Sequence, residues 1–115
     1  MNHVNLNVTD VTVAREFLEN YFEMACEVVR GNAFALMYDD NGLALTLMKE
    51  NDFHYPRTFH IGFYQKSEER VDQINQRLRE NGFEVKPPSY THGGYAFYVN
   101  APGSFLIEIT HYPND

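Results

Sequence analysis

The stretch Gly103-Ser-Phe-Leu-Ile-Glu-Ile-Thr110, near the end of the 115-residue chain, decides the fold prediction. Its apolar, β-branched and aromatic residues, with a proline shortly before and after them, predict a β-strand. Side chains alternate across a strand, so Phe105, Ile107 and Ile109 share one face and Glu108 lies on the other. Because a buried, unpaired carboxylate is strongly destabilising, Glu108 needs a cation, a hydrogen-bonded partner or access to solvent through a pocket.

Length and composition predict a single globular domain over residues 1–115. Hydrophobic residues make up 43% of the chain and aromatic residues 15%, which is enough for a core. The chain has 9 basic and 16 acidic residues, a formal charge of −7, and no cluster of Lys and Arg. This charge pattern argues against binding to nucleic acid and against attachment to a membrane surface.

The predicted location is cytoplasmic. The apolar runs are far shorter than the ~20 residues of a membrane span, and polar residues interrupt the N-terminal stretch where a signal peptide would be apolar. The single cysteine, Cys26, cannot form an internal disulfide, which fits a reducing compartment. Its predicted role is that of a small strand residue, with a catalytic nucleophile as the weaker alternative.

The first half of the chain, approximately residues 1–52, predicts a strand, a helix and three further strands. In the first strand Val4 and its apolar neighbours alternate with His3 and two asparagines. Thr9 or Asp10 would cap the helix. The apolar stripe of that helix would consist of Val13, Phe17, Leu18 and Tyr21. The three strands are expected at about residues 27–30, 33–38 and 43–49.

The second half, approximately residues 57–115, repeats this order. A strand over residues 57–65 would be followed by a helix capped by Ser67 and ended by Gly82. Strands are then expected at about 83–86, 94–100 and 103–110. When the halves are aligned, His60 matches His3 and Glu108 matches Thr46, a repeat of pattern rather than of sequence identity.

One face of the predicted strands is almost purely apolar, and two amphipathic helices can pack on it. The opposite face carries His, Asn, Thr, Tyr, Met and Glu, and a curved sheet with such a face would form a half-polar cavity for a small molecule. The residues expected to line this cavity are Asn5, Asn7, Thr46, Met48, Tyr64, Tyr98 and Thr110.

His3, His60 and Glu108 lie on this polar face, on three different strands. Two imidazoles and one carboxylate can bind a divalent ion and leave coordination positions open for water or substrate. Such an ion would also neutralise Glu108. Each residue alone has a plainer interpretation: His3 as an exposed terminal residue, His60 as a cross-sheet hydrogen-bonding group and Glu108 as a solvated edge residue.

Three segments give this chain a specific resemblance. His3-Val-Asn-Leu-Asn-Val-Thr-Asp10, Phe59-His-Ile-Gly-Phe63 and Ala101-Pro-Gly-Ser-Phe-Leu-Ile-Glu108-Ile resemble the vicinal oxygen chelate superfamily, which includes glyoxalase I, bleomycin-resistance proteins and extradiol dioxygenases. The resemblance implies an α+β fold in which two βαβββ modules form an open, curved, mixed eight-stranded sheet with helices on the outer face. It also implies a homodimer in which the ligands of one metal site can come from two chains.

The resemblance implies a metal-dependent enzyme that acts on a small oxygen-bearing substrate, of lyase, transferase or dioxygenase type. The ion would be zinc, nickel, manganese or iron, and no residue is assigned as the catalytic base. Glyoxalase I carries a fourth carboxylate ligand where this chain has Thr46, and fosfomycin-modifying members carry Thr where this chain has Asn5. The alternative function is that of a bleomycin-resistance type of protein, which binds and sequesters a small molecule.

Overall fold

The computed structural model describes residues 1–113, which form two compact units. The first unit contains residues 1–56 and 101–105, and the second contains residues 57–100 and those from 106 onward. Within these described residues, eight strands belong to two four-stranded mixed sheets, and each half has the element order βαβββ. The predicted α+β class and repeated module plan are therefore confirmed.

The first sheet is mixed because the first and last of its strands along the chain are parallel neighbours. Its elements are β1 (His3–Val8), α1 (Val11–Phe22), β2 (Ala25–Arg30), β3 (Phe34–Tyr38) and β4 (Ala44–Lys49). The strand order is β1-β4-β3-β2, with β1 parallel to β4 and the other neighbours antiparallel. This arrangement leaves β1, which begins with His3, at an edge of the sheet.

Helix α1 packs on this sheet with a stripe that shares Phe17, Leu18 and Tyr21 with the prediction but contains Val11 and Ala14 instead of Val13. Asp10 is the N-cap and accepts a hydrogen bond from the Val13 amide at 3.1 Å. Val13 itself is 39% exposed, whereas Ala14 is fully buried. The Gly103 backbone lies close to Ala14, since a Cβ built on Gly103 would be 3.1 Å from the Ala14 Cβ. The buried face of α1 consists of Val11, Ala14, Phe17, Leu18 and Tyr21.

The second sheet repeats the arrangement of the first. Its elements are β5 (Ile61–Tyr64), α2 (Glu68–Glu80), β6 (Ser89–Thr91), β7 (Gly94–Ala101) and β8 (Phe105–His111). The order is β5-β8-β7-β6, with β5 parallel to β8 and β6 antiparallel to β7. Neither helix of the described chain has the length and apolar character needed to cross a membrane.

Two strand predictions in the second half were wrong. Strand β5 spans only Ile61–Tyr64, so His60 precedes it. The predicted strand at 83–86 is irregular, and β6 begins only after the two prolines that follow it. Helix α2 accounts for this difference: the Phe83 amide donates to the Leu78 carbonyl at 2.9 Å, and the Asn75 side chain donates to the Lys86 carbonyl at 2.9 Å. The Phe83 amide and the Lys86 carbonyl, which a β-strand would use to pair with a neighbouring strand, are thus bonded to helix α2.

Candidate metal centre

His60 and Glu108 meet in the second unit because of the register between β5 and β8. Ile61 pairs with Ile107 and Gly62 with Glu108, so His60 lies one residue before the paired segment. Ile107 is fully buried in the core, and alternation directs Glu108 to the opposite face. The Glu108 side chain is 13% exposed. The polar face predicted for Glu108 therefore exists, and it also carries His60.

The two side chains lie close together without forming a hydrogen bond. His60 Nε2 lies 3.8 Å from Glu108 Oε1, which is too long for a hydrogen bond. A divalent ion at roughly 2.0–2.2 Å from each atom can bridge this distance. His60 Nδ1 lies 2.8 Å from the Thr58 carbonyl oxygen, which fits donation from Nδ1–H. In that tautomer the Nε2 lone pair remains available, an arrangement typical of metal-binding histidines.

Tyr98 contacts both of these side chains. Its hydroxyl donates a hydrogen bond to Glu108 Oε2 at 2.9 Å. Its ring meets the His60 ring edge-on, with centroids 5.4 Å apart and planes at 89°. Partial burial, followed by the hydrogen bond to Glu108 and the charge of that carboxylate, raises the pKa of Tyr98. The hydroxyl therefore remains protonated and can continue to donate.

In the first unit, His3 occupies the place that corresponds to His60. Asn5 pairs with Thr46 in the parallel β1–β4 ladder, as Gly62 pairs with Glu108 in the other sheet. His3 Nε2 lies 3.3 Å from the Thr46 hydroxyl, which donates to Asn5 Oδ1 at 2.8 Å. The register thus aligns His3 with His60 and Thr46 with Glu108, as the repeat predicted, but the first unit has a hydroxyl in place of the carboxylate.

The described part of one chain brings two of the three predicted ligands together. Within residues 1–113, no group of three or more His, Cys, Asp or Glu side chains is placed to hold a metal ion. His60 and Glu108 face one another, whereas His3 contacts Thr46 within the first unit. A three-ligand site that contains His3 therefore stays a prediction, because within the described part of one chain His3 does not join His60 and Glu108.

The other predicted lining residues of the first unit lie on its polar face. Asn5 and Met48 are exposed, Met48 by 47%. Asn7 is half-buried, and its carbonyl oxygen accepts a hydrogen bond from the Tyr55 hydroxyl at 2.7 Å. Partial burial raises the pKa of Tyr55, and its bond to Asn7 opposes that increase. The hydrogen bond from Tyr55 links the segment after β4 to β1.

The two remaining residues, in the second unit, differ sharply in exposure. Tyr64 is 73% exposed and meets Tyr112 edge-on, with ring centroids 5.1 Å apart. Thr110 is only 1% exposed, and a Cβ added to Gly94 would lie 2.7 Å from its hydroxyl oxygen. Tyr64 is therefore available to line a pocket, whereas Thr110 is packed against a glycine backbone.

Two contributors to this centre were absent from the sequence interpretation. The Thr58 carbonyl orients His60, and Gly62 provides space beside Glu108. A backbone acceptor carries no side-chain signal. Gly62 did carry a signal, because it lies two residues after His60 at the position where the first half has Asn5. Cys26 is half-buried, and burial raises the pKa of its thiol, which disfavours a nucleophilic role.

Comparison with known proteins gives one family. Residues 1–109 match the model of the Glyoxalase/Bleomycin resistance protein/Dioxygenase superfamily. A solved structure of a possible glyoxalase from Bacillus cereus is 58% identical, with a TM-score of 0.91 and 96% of each chain covered. No curated protein matches the chain.

More distant structures share the fold. The fosfomycin resistance protein FosX from Listeria monocytogenes is 24% identical, with a TM-score of 0.82 and coverage of 99% of this chain and 93% of that one. Lactoylglutathione lyase from Agrobacterium tumefaciens is 16% identical, with a TM-score of 0.76 and coverage of 96% and 92%.

Proposed function

Because the chain belongs to the Glyoxalase/Bleomycin resistance protein/Dioxygenase superfamily, we propose that it is a metal-dependent enzyme acting on a small oxygen-bearing molecule. His60, Glu108 and His3 would hold one divalent ion. The observation that carries the proposal is the 3.8 Å approach of His60 Nε2 to Glu108 Oε1, with the imidazole oriented by the Thr58 carbonyl. This approach supplies one neutral and one anionic ligand on the same face.

The chemistry follows from this donor set. When bound, the ion would polarise a substrate oxygen and stabilise the oxyanion or enolate that develops on it. Thr58 fixes the His60 tautomer, and Tyr98 orients the Glu108 carboxylate. Because these groups are already oriented, little reorganisation would accompany substrate binding.

A homodimer would complete the centre. His3 begins the edge strand β1, and Ile61, directly after His60, begins the edge strand β5. In our proposal, His3 of the partner subunit joins His60 and Glu108, so that each dimer holds two equivalent sites. To bind an ion through Nε2, His3 would exchange its contact with the Thr46 hydroxyl for the ion.

Metal analysis of the purified protein tests this function. We expect about one ion per chain after loading with Mn(II), Ni(II), Zn(II) or Fe(II). Manganese is a useful probe because a structure of a FosX mutant from Listeria monocytogenes contains Mn(II) together with a dihydroxypropylphosphonic acid. The substitution His60→Ala should weaken metal binding by about 100-fold or more, since it removes a direct ligand.

The matched control is His54→Ala, which removes an exposed histidine from the segment between the two halves. This variant should bind metal as the wild type does. A wild-type protein that takes up none of these ions but binds a small aromatic molecule would contradict the proposal and favour the sequestering function.

A further inference from the structure

We propose that the polar face of the first sheet binds a small organic anion. The negative group of this anion pairs with the Arg30 guanidinium, and its apolar body lies across the neighbouring strands. The site is contained in the first unit and requires no metal ion, so it goes beyond the proposed function. Three observations support it: the strand register, the exposure of apolar side chains, and the charges on this face.

The register places one side chain from each of the four strands in a row that ends at Arg30. Asn7 of β1 pairs with Met48 of β4. Phe34 of β3 pairs with Met48 on one side and with Arg30 of β2 on the other. Directly paired residues point to the same face of a sheet. This face is the one opposite the core, because Ala35, the next residue after Phe34, is fully buried.

The same face presents apolar side chains to solvent. Met48 on β4 is 47% exposed, and Val28 on β2 is 37% exposed. Strand β3 lies between these two strands, and its Phe34 and Leu36 side chains on this face are half-buried. Exposed apolar side chains that adjoin one another are typical of a binding site. An apolar ligand that covers them would be stabilised by the removal of this surface from water.

Arg30 gives this face its charge. Its side chain is exposed, and within residues 1–113 no ion pair or hydrogen bond joins its guanidinium to another side chain. The chain has 16 acidic residues, yet none of them occupies a paired position in this sheet, and Glu27 lies at the β-bulge outside the register. A guanidinium matches the geometry of a carboxylate with two parallel N–H donors. The charge on this face therefore complements an anion.

The length of the row and its single cation define the class of ligand. With strands about 4.8 Å apart, the row from Asn7 to Arg30 is roughly 14 Å long. Asn7, at the far end, is uncharged, so a second negative group would have no cation there. The expected ligand is thus a monocarboxylate with an apolar or aromatic body. Because the chain carries a formal charge of −7 and repels anions in general, a preference for an anion requires a local cation.

The test compares two probes of the same shape in the full-length, metal-free protein. Naphthylacetate carries a carboxylate, and naphthylacetamide carries a neutral amide in its place. Titration calorimetry with excess EDTA at pH 8, where an ordinary imidazole is neutral, measures both affinities. We expect naphthylacetate to bind about fivefold more tightly than the amide, a modest ratio because solvent screens an exposed ion pair. In Arg30→Gln the two affinities should become equal, and an unchanged affinity for the amide shows that the variant is folded.

The matched control is Arg79→Gln, which removes an exposed guanidinium from helix α2 and changes the net charge by the same amount. This variant should keep the fivefold preference. The substitution Met48→Gln tests the apolar part of the row. It should weaken the binding of both probes by about threefold and leave their ratio unchanged, because less apolar surface is covered.

The other outcomes overturn the proposal. Equal affinities of the two probes in the wild type would show that no cation selects the ligand. A preference that persists in Arg30→Gln would place the anion elsewhere, and one that is lost in both arginine variants would reflect net charge. If neither probe binds, and Arg30→Gln dissociates a dimer in size-exclusion chromatography, a second copy of the chain covers this face instead. Because EDTA is present throughout, these results leave the proposed metal-dependent function to its own test.

Discussion

Each half of the molecule contains a parallel strand pair of the same kind, but the side chains at one equivalent pair of positions differ. In the first unit Asn5 pairs with Thr46, and in the second Gly62 pairs with Glu108. Asn5 accepts the Thr46 hydroxyl at 2.8 Å, which satisfies that hydroxyl within the unit. Glycine at 62 has no side chain, and even an added Cβ would lie 3.8 Å from Glu108 Oε1. In the second unit, therefore, no side chain at position 62 hydrogen-bonds to the residue it pairs with, whereas in the first unit Asn5 does.

The histidines two residues before these positions, His3 and His60, also differ in their contacts. His3 lies 3.3 Å from a hydroxyl, a distance at which a hydrogen bond can form. His60 lies 3.8 Å from a carboxylate oxygen, a distance that leaves both groups open to a shared cation. The repeated fold thus supplies two equivalent positions, one with a carboxylate beside its histidine and the other with a hydroxyl. This comparison motivates three experiments.

The largest expected effect comes from combining two defective chains. If His3 is supplied by the partner subunit, a heterodimer of His3→Ala and Glu108→Gln chains carries one doubly defective site and one intact site. Co-expressed chains with different tags, purified through both tags, should therefore hold about one Mn(II) per heterodimer. Each variant alone should lose Mn(II) binding by about 100-fold. The measurement is metal content after removal of free ion.

This experiment has a direct control in the chain. A heterodimer of His60→Ala and Glu108→Gln carries both defects in the same unit, so each of its sites has one defective ligand and should remain empty. Metal loss in both heterodimers would assign all three ligands to one chain and contradict the shared site. A heterodimer that fails to form, seen as separate chains in size-exclusion chromatography, would contradict the homodimer itself.

A smaller effect is expected when the second unit is given the ladder residue of the first. Gly62→Asn places a carboxamide beside Glu108, where its NH₂ group can donate to Oε1, as Thr46 donates to Asn5 in the other unit. Space allows the change, because an added Cβ is in ordinary van der Waals contact. We expect Mn(II) binding to weaken by about tenfold, since the carboxylate must exchange this hydrogen bond for the ion. Titration calorimetry measures the affinity.

The control for steric effects is Gly62→Ala. Alanine adds the Cβ but no donor, and should bind Mn(II) with nearly wild-type affinity. Equal weakening in the alanine and asparagine variants would indicate that bulk, rather than competition for Oε1, controls the site. Unchanged affinity in both would mean that Gly62 has no part in the difference between the two halves.

The sequence predicted much of this comparison because alternation is a local property. The faces of β1, β4 and β8 follow from period-two patterns, and those patterns placed His3, Thr46 and Glu108 on the polar sides. Register is not local, since it depends on which strands pair. Only the structure shows the register in which Gly62 pairs with Glu108 and the strand order in which β7 lies beside β8. The bond from Tyr98 to Glu108 depends on that strand order.

Errors in the sequence interpretation arose where long-range contacts override local preference. Residues 83–86 alternate as a strand would, but helix α2 bonds their backbone groups through Leu78 and Asn75. Val13 has the right character for a buried helix position, yet it is 39% exposed, whereas Ala14, close to the Gly103 backbone, is fully buried. Both places have a close contact with a backbone segment, which a hydrophobicity pattern does not describe.

The two halves also differ in how their helices are held. In the first unit the turn before β3 contributes Asn32, whose side chain accepts the Thr12 amide of α1 at 2.9 Å. In the second unit a tyrosine hydroxyl also bonds to α2: Tyr95 on β7 donates to Asp72 at 2.6 Å. Only the second kind of contact contains a titratable donor. Alkaline pH should therefore distinguish the helix attachments of the two halves.

The smallest predicted effect is this pH dependence. The hydrogen bond to Asp72 raises the pKa of Tyr95 to about 12, compared with about 10 for an ordinary tyrosine. Because the folded-state pKa is raised, the stabilisation is fully present below pH ~10 and is lost as the pH rises through ~12. The contribution should be no more than about 1 kcal/mol, since solvent screens this exposed pair. Urea unfolding of wild type and Tyr95→Phe should give free energies that differ at pH 8 and converge only as the pH passes ~12. The variant Asp72→Asn removes the charged acceptor but keeps the shape of the side chain, so its ultraviolet titration should show the Tyr95 phenol ionising nearer pH 10. A Tyr95→Phe difference that persists unchanged to pH 12 would mean that ring packing, rather than the hydroxyl–carboxylate bond, attaches α2 to β7.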